Sequence, residues 1–249
     1  MVIAIVVISA LILHKIFTAR RGAYIYVRPI PGLAAIDEAV GRATEIGKPV
    51  LFHPGTGDIQ NIGTLAALGV LGHVARSCAR MGNPLIVTTA FPVLVPVCED
   101  VINQAYQAEG KPELFRPEDV RFLAASGDQL ALATANVMTR EETASHFFFG
   151  AYDYTSLLLT EPGQRTGAMQ IAGTNEFFQV PFFIASCDYT VIGEELFAAS
   201  AYLSREPTML GSLIGQDRAK IIILVIILLG ALAATVGLGG AFAKLVWGM

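Results

Sequence analysis

The chain of 249 residues is short of charge. Asp, Glu, Lys and Arg make up 15% of it, against roughly 25% in an average soluble domain. Hydrophobic residues supply 53% and the mean hydropathy is +0.56, which excludes disorder, since a disordered chain has few apolar residues and much charge. Cysteine is scarce, and Cys78, Cys98 and Cys187 stand too far apart to build a disulfide framework. Basic residues do not outnumber acidic ones, 17 against 21, and the net charge of −4 argues against nucleic acid as a partner. Catalytic signatures are missing as well. No Gly-Lys-Ser/Thr follows Gly57, so there is no Walker loop, and no G-x-S-x-G elbow supplies a nucleophile. The four histidines (His14, His53, His73, His146) form no H-x-x-x-H or H-E-x-x-H pair. The sequence names no metal and no cofactor, and it leans away from an enzyme.

The apolar excess is concentrated at the two ends. From Ile221 to Ala243 there is no charge, and at ~1.5 Å per helical residue this run crosses the ~30 Å hydrocarbon core, with Lys244 and Trp247 as interfacial anchors. Met1 to Leu13 is uninterrupted until His14 and Lys15, and a helix through Phe17 is just long enough to span if Lys15 snorkels. A secretory signal is the rival, weakened because nothing basic precedes the run and no Ala-x-Ala site follows it. The expected division is an N-terminal anchor over 1–21, an α/β domain over 22–219 and a C-terminal span over 220–249. Lys15, Arg20 and Arg21 after the first run, and Arg218 and Lys220 before the second, place the middle segment in the cytoplasm and both termini outside, at the inner (plasma) membrane. That middle segment holds all 21 acids against 12 of the 17 basic residues, a net charge of about −9.

Within the middle segment, short apolar runs alternate with helical patterns. Strands are expected at Ala23–Arg28, Pro49–His53, Leu85–Thr89, Val120–Ala125, Ser145–Phe149, Ala168–Ala172 and Pro181–Ser186. Helices are expected from Leu33 to Gly47, Gln60 to Met81, Val95 to Ala108, Gln129 to Arg140, Tyr152 to Leu159 and Thr190 to Ser204. The alternation predicts a three-layer, Rossmann-like α/β domain with a mostly parallel sheet, flanked by the two transmembrane helices. Between Asn61 and Ala75 the only ionisable residue is His73, so that helix must be buried all round, centrally or against another subunit, unless it is a third membrane segment. Phe177–Cys187 and His146–Tyr154 are similarly aromatic and poor in charge, as interfaces are. Ala233, Gly237 and Ala241, at four-residue spacing, predict a helix-packing stripe in the C-terminal span.

In open α/β sheets, ligands bind beyond the carboxyl ends of the strands. The candidate ligand-binding residues are therefore His53, Thr56, Asp58, Thr88, Asp128, Thr174, Asn175, Glu176 and Asp188. Imidazole and carboxylates there suit proton transfer or a hard metal, although no spacing among them is diagnostic. Asp58 and Asp128 also have the simpler expectation of capping helix N-termini.

Several stretches resemble a family of uncharacterised bacterial membrane-anchored proteins, a domain of unknown function. They are Arg28-Pro-Ile-Pro-Gly32, Ile36-Asp-Glu-Ala-Val-Gly-Arg-Ala-Thr-Glu45 and Gly47-Lys-Pro-Val-Leu-Phe52. Further on come Ile171-Ala-Gly-Thr174, Cys187-Asp-Tyr189 with Ile192-Gly-Glu-Glu195, and Ala198-Ala-Ser-Ala-Tyr-Leu-Ser204. The resemblance supplies no activity, cofactor or catalytic residue. The expected function is that of a self-associating structural or scaffold subunit of a membrane assembly, with lipid and further copies of itself as partners. The rival is a membrane-tethered ligand-binding protein or enzyme acting on a small anionic metabolite at the strand-end cleft.

Overall fold

Six short runs of branched, aromatic and small residues pair into one sheet, and helices fill the intervals between them. The computed structural model describes residues 2–21, 28–125, 127–204 and 206–237. In chain order, α1 (Val2–Arg20), α2 (Pro31–Ala34) and α3 (Ile36–Ile46) precede β1 (Val50–Gly55), α4 (Ile62–Met81), β2 (Leu85–Thr89) and α5 (Leu94–Ala108). Next come β3 (Val120–Phe122), α6 (Gly127–Arg140), β4 (Ser145–Ala151), α7 (Ser156–Thr166) and β5 (Met169–Thr174). The described chain ends with α8 (Val180–Ser186), β6 (Tyr189–Ile192), α9 (Glu194–Ser204) and α10 (Pro207–Thr235). It divides into two units, Arg28–Leu203 and a second formed by Met1–Val27 with Ser204–Met249.

In the first unit all strand pairs are parallel, in the order β3-β2-β1-β4-β5-β6. This is the doubly wound order of dinucleotide-binding folds, with its reversal between β1 and β4. The four inner strands are buried along their whole length, as a sheet covered on both faces requires, whereas edge strands β3 and β6 are only partly so. Alternation sends Phe52, Phe147 and Phe149 to the face covered by α3, α4, α5 and α9. Leu51, Phe148 and Ala172 go to the other face, against Ala131 and Met138 of α6, Leu159 of α7 and Phe183 of α8.

Helix α4, uncharged as far as Ala75 and carrying exposed Arg76 and Arg80 in its last turns, is a core helix of this unit. Asn61 caps its start, its side chain accepting from the Gly63 N–H at 2.8 Å, and Gly82 in the left-handed conformation ends it. Its glycines admit neighbours rather than lipid: a Cβ at Gly69 would lie 2.7 Å from Ser200 Oγ of α9. It has the length and hydropathy to cross a membrane, but 56% of its most apolar stretch is buried.

Three expected elements differ. Pro181–Ser186 is not a strand but lies in α8, where Pro181 suits the first turn and Phe183 and Ser186 are buried at helical spacing. The β-branched Thr190, Val191 and Ile192 form β6 instead, and Gly193, at φ +58°, delays the last helix of the unit to Glu194. Helix α7 runs on through Pro162 and Gly163 to Thr166, giving up the hydrogen bond that the Pro162 nitrogen cannot donate. Gly163 is required there because a Cβ would collide with Gln170 Oε1 and with His146 Nδ1. Gly163→Ala is expected to destabilise the fold by about 1–3 kcal/mol in denaturant unfolding. The strand expected at Ala23–Arg28 lies, except for Arg28, outside the described residues.

The second unit is a helical hairpin. Helix α1 packs antiparallel on α10 at Gly211 and Gly215, where added Cβ atoms would lie 2.8 Å from the Cα atoms of Ile16 and Ile12. Together with Ala219, these glycines make a buried small-residue stripe at four-residue spacing. Further along, Ala233 is half-buried, and Gly237 sits in the left-handed turn after the helix with nothing within 4 Å of an added Cβ. Ala241, with Lys244 and Trp247, lies outside the described residues. Only 6% of the most apolar stretch of α10 is buried.

Candidate functional site

The reversal between β1 and β4 puts the carboxyl ends of those strands at the place where this topology opens a ligand crevice. Here the chain itself fills it. Gly55 and Gly150 have φ of +89° and +136°, and each faces the backbone of the opposite strand end so closely that a Cβ would strike a carbonyl oxygen, that of Ala151 or of Pro54. The Thr56 N–H donates to the Ala151 carbonyl at 2.8 Å, and the Thr56 hydroxyl lies within reach of the same oxygen. The first turn of α4 closes over this seam, since a Cβ at Gly63 would lie 2.7 Å from Asn175 Oδ1 and 3.0 Å from the Ala151 nitrogen.

His53 is fully buried beneath the seam. Its Nδ1 accepts from the Gly55 N–H at 3.0 Å, which leaves the proton on Nε2, and Tyr152 donates its hydroxyl hydrogen to the His53 carbonyl at 3.0 Å. Burial pushes the His53 pKa from 6.5 down to about 3, so the ring is neutral at pH 7 and poorly matched to proton transfer there. His146 on β4 is lowered to about 4, again chiefly by burial, and is held between Thr143 and Gln170. Both folded values lie below 6.5, so between them and pH 6.5 the unfolded chain binds protons that the folded chain refuses. Stability is therefore complete above about pH 6.5 and falls as the pH is lowered, at about 1.4 kcal/mol per pH unit for each histidine. Urea unfolding of the full chain in mild detergent at pH 7.5 and pH 5 measures this, and His53→Gln is expected to remove about half of the slope.

The other candidates have local roles. Asp58 Oδ1 accepts from the N–H groups of Gln60 and Asn61, so it shapes the loop, while Asn61 provides the cap that Asp58 was expected to supply. Thr88 is buried and accepts from the Thr134 hydroxyl of α6 at 3.3 Å. Thr174 Oγ1 accepts from the Glu176 N–H, and Asn175 donates to the Glu176 carboxylate at 3.4 Å. Asp128 lies exposed in the first turn of α6. Asp188 leaves the group altogether. Because β6 begins at Tyr189, Asp188 stands at the amino edge of the sheet, accepts from the Gln170 N–H at 2.7 Å and lines a cavity of about 400 Å³ with Arg42 and Cys187.

His53, Thr56, Asp58, Thr174, Asn175 and Glu176 thus gather at the ends of β1 and β5, around the end of β4, with Thr88 and Asp128 on the neighbouring strand and helix. Among the described residues, no three His, Cys, Asp or Glu side chains are placed to hold a metal ion. Four buried polar atoms at this edge lack partners: His53 Nε2, Thr64 Oγ1, Thr155 Oγ1 and Asn175 Oδ1. The loops after β1, β2, β3, β4 and β5 carry Asp58, Asp153 and Glu176 but no lysine or arginine.

What these loops do present is apolar surface. Phe177 and Phe178, between β5 and α8, are 79% and 88% exposed, and Tyr154, Leu157 and Leu158 stand out around the start of α7. The buried hydrogen bond from the Ser156 hydroxyl to Gln179 Oε1, 2.6 Å, ties the two segments that carry these side chains. Sequence reasoning singled out both aromatic segments, Tyr154 included, but missed Leu157 and Leu158, which belong to α7 because that helix begins at Ser156.

The family model described as Domain of unknown function (DUF6754) matches residues 1–245, nearly the whole chain. No curated protein and no solved structure matches it. With that coverage, the chain belongs to this family of unknown function.

Proposed function

We propose that the protein is a membrane-anchored, self-associating structural subunit, held in the bilayer by the apolar run of α10 and joined to further copies through the carboxyl edge of its sheet. The observation that carries this reading is the aromatic cluster of Phe177, Phe178 and Tyr154 with Leu157 and Leu158, exposed at the one edge where the fold would otherwise receive a ligand. Contiguous apolar surface bordered by polar groups is what association sites present, and Asp58, Asp153 and Glu176 supply that polar border. The positive charges Arg218 and Lys220 before the apolar run favour a cytoplasmic α/β unit at the inner membrane, with the C-terminus outside.

The rival reading, a tethered binding protein or enzyme for a small anionic metabolite, draws support from the four unpartnered buried atoms. Against it stand the self-filled crevice, the neutral His53 and loops that offer an anion three carboxylates and no cation. Native mass spectrometry of the full chain released from mild detergent separates the two. Two or more copies per particle are expected, and a strictly monomeric chain contradicts the proposal.

A further inference from the structure

The helical hairpin fixes how deep the chain can enter a bilayer. Arg20 Nε donates to Thr208 Oγ1 at 3.2 Å, Ile16 lies against Gly211, and Ile12 lies against Gly215. The four residues back along α1 from Ile16 to Ile12 match the four forward along α10 from Gly211 to Gly215, as two straight antiparallel helices require. Carried on at the same pace, the register sets Ala10 level with Asp217, Ser9 with Arg218, residue 7 with Lys220, and the start of α1 near Val225. Asp217 and Arg218 are exposed, Asp217 about half a turn around α10 from the buried stripe of Gly211, Gly215 and Ala219.

A bilayer that covers the apolar run of α1 therefore also covers Asp217 and Arg218, two charged side chains exposed on the hairpin. Charged side chains within a membrane face a bundle interior or a water-filled cavity, and a two-helix hairpin has neither. A bilayer that begins beyond Lys220 meets no such conflict. It finds an uncharged run, Ile221 to Ala243, that at ~1.5 Å per residue crosses the ~30 Å core alone.

We infer that the lipid boundary lies at Lys220, that α10 is the sole span of the hairpin, and that α1 is a brace lying against the water-side turns of α10, with only its first turn or so reaching the lipid. The inference rests on the reading of α10 as the membrane anchor. It departs from the two-span expectation and places the N-terminus at the membrane surface on the side of the α/β unit. Lys15 then has no need to snorkel, and Leu13 and Phe17, exposed on the outer face of α1, stand outside the hydrocarbon core.

Spin labels at Ala10→Cys, Asp217→Cys and Leu232→Cys test it in the full chain carrying Cys187→Ser, reconstituted in phosphatidylcholine–phosphatidylglycerol nanodiscs. Collisions with a water-soluble nickel chelate are compared with collisions with oxygen, which concentrates in lipid. The nickel-to-oxygen ratio at Ala10 is expected within about a factor of two of that at Asp217 and about tenfold or more above that at Leu232, because the hydrocarbon core excludes water. An oxygen-dominated label at Ala10, matching Leu232, overturns the single-span inference while leaving the anchor in place. A nickel-dominated label at Leu232 overturns the anchor itself.

Discussion

Replacing Phe177 and Phe178 together by serine is expected to convert the proposed assembly to single chains and to leave the fold intact. The two side chains are almost fully exposed and belong to neither core cluster, so the folded unit loses no packing with them. In an interface they would be the large apolar groups that carry most of the binding energy. At about 2 kcal/mol for each such residue, the double substitution weakens association about a thousandfold. Light scattering of the detergent-solubilised variant is expected to give the mass of one chain, with a urea midpoint equal to that of the parent. A variant that keeps the parent's mass removes these residues from the interface. One that unfolds shows that they support the fold instead.

The second large effect is expected in the hairpin. Gly211→Val with Gly215→Val places side-chain atoms where the backbones of Ile16, Lys15 and Ile12 stand, and backbone cannot step aside as a flexible side chain can. Overpacking of this kind costs about 1–3 kcal/mol per site, enough to lower the closed hairpin population about tenfold or more. A short bismaleimide bridging Arg20→Cys and Thr208→Cys, residues now joined by a hydrogen bond, reads the closed form directly. Its yield is expected to collapse in the double-valine background and to be unchanged by Ala233→Val, which lies well beyond the contact. Equal loss in both backgrounds would mean that the whole length of α10 holds α1.

How much of this was legible beforehand depended on the kind of signal. The buried runs at Val50–Phe52, Leu85–Thr89, Ser145–Phe149 and Met169–Ala172 announced their strands, because a parallel sheet covered on both faces needs unbroken apolar segments of that length. The part of α4 up to Ala75 could be read as buried from its lack of charge, but its neighbours could not, since Ser200 meets Gly69 only through the tertiary fold. Around Pro181 the signal failed. A short apolar run has no clear period, and whether it becomes strand or helix was decided by proline in a first turn and by the competing strand at Thr190–Ile192. That one shift carried Asp188 from the expected site to the opposite edge of the sheet.

Most of the candidate site residues lie together in the fold, but their hydrogen bonds are not those of a ligand site. His53, Thr56, Asp58, Thr174, Asn175 and Glu176 do converge, as strand-end residues of a doubly wound sheet must. Their hydrogen bonds are spent on loops and seams, which spacing alone cannot reveal. The packing stripe of the second unit was available in the sequence as Gly211-Ser-Leu-Ile-Gly215, a G-x-x-x-G pattern. It lies before Lys220, outside the uncharged run that marks the membrane span.

The central claim is that copies of this chain meet at the carboxyl edge of the sheet. Site-specific cross-linking in native membranes tests it most directly, with a thiol-reactive linker at Phe178→Cys and, as a control, at Ile46→Cys, an exposed apolar residue at the end of α3. The account predicts a covalent dimer from position 178 and little from position 46. Equal yields at the two positions, or none at 178, would contradict it.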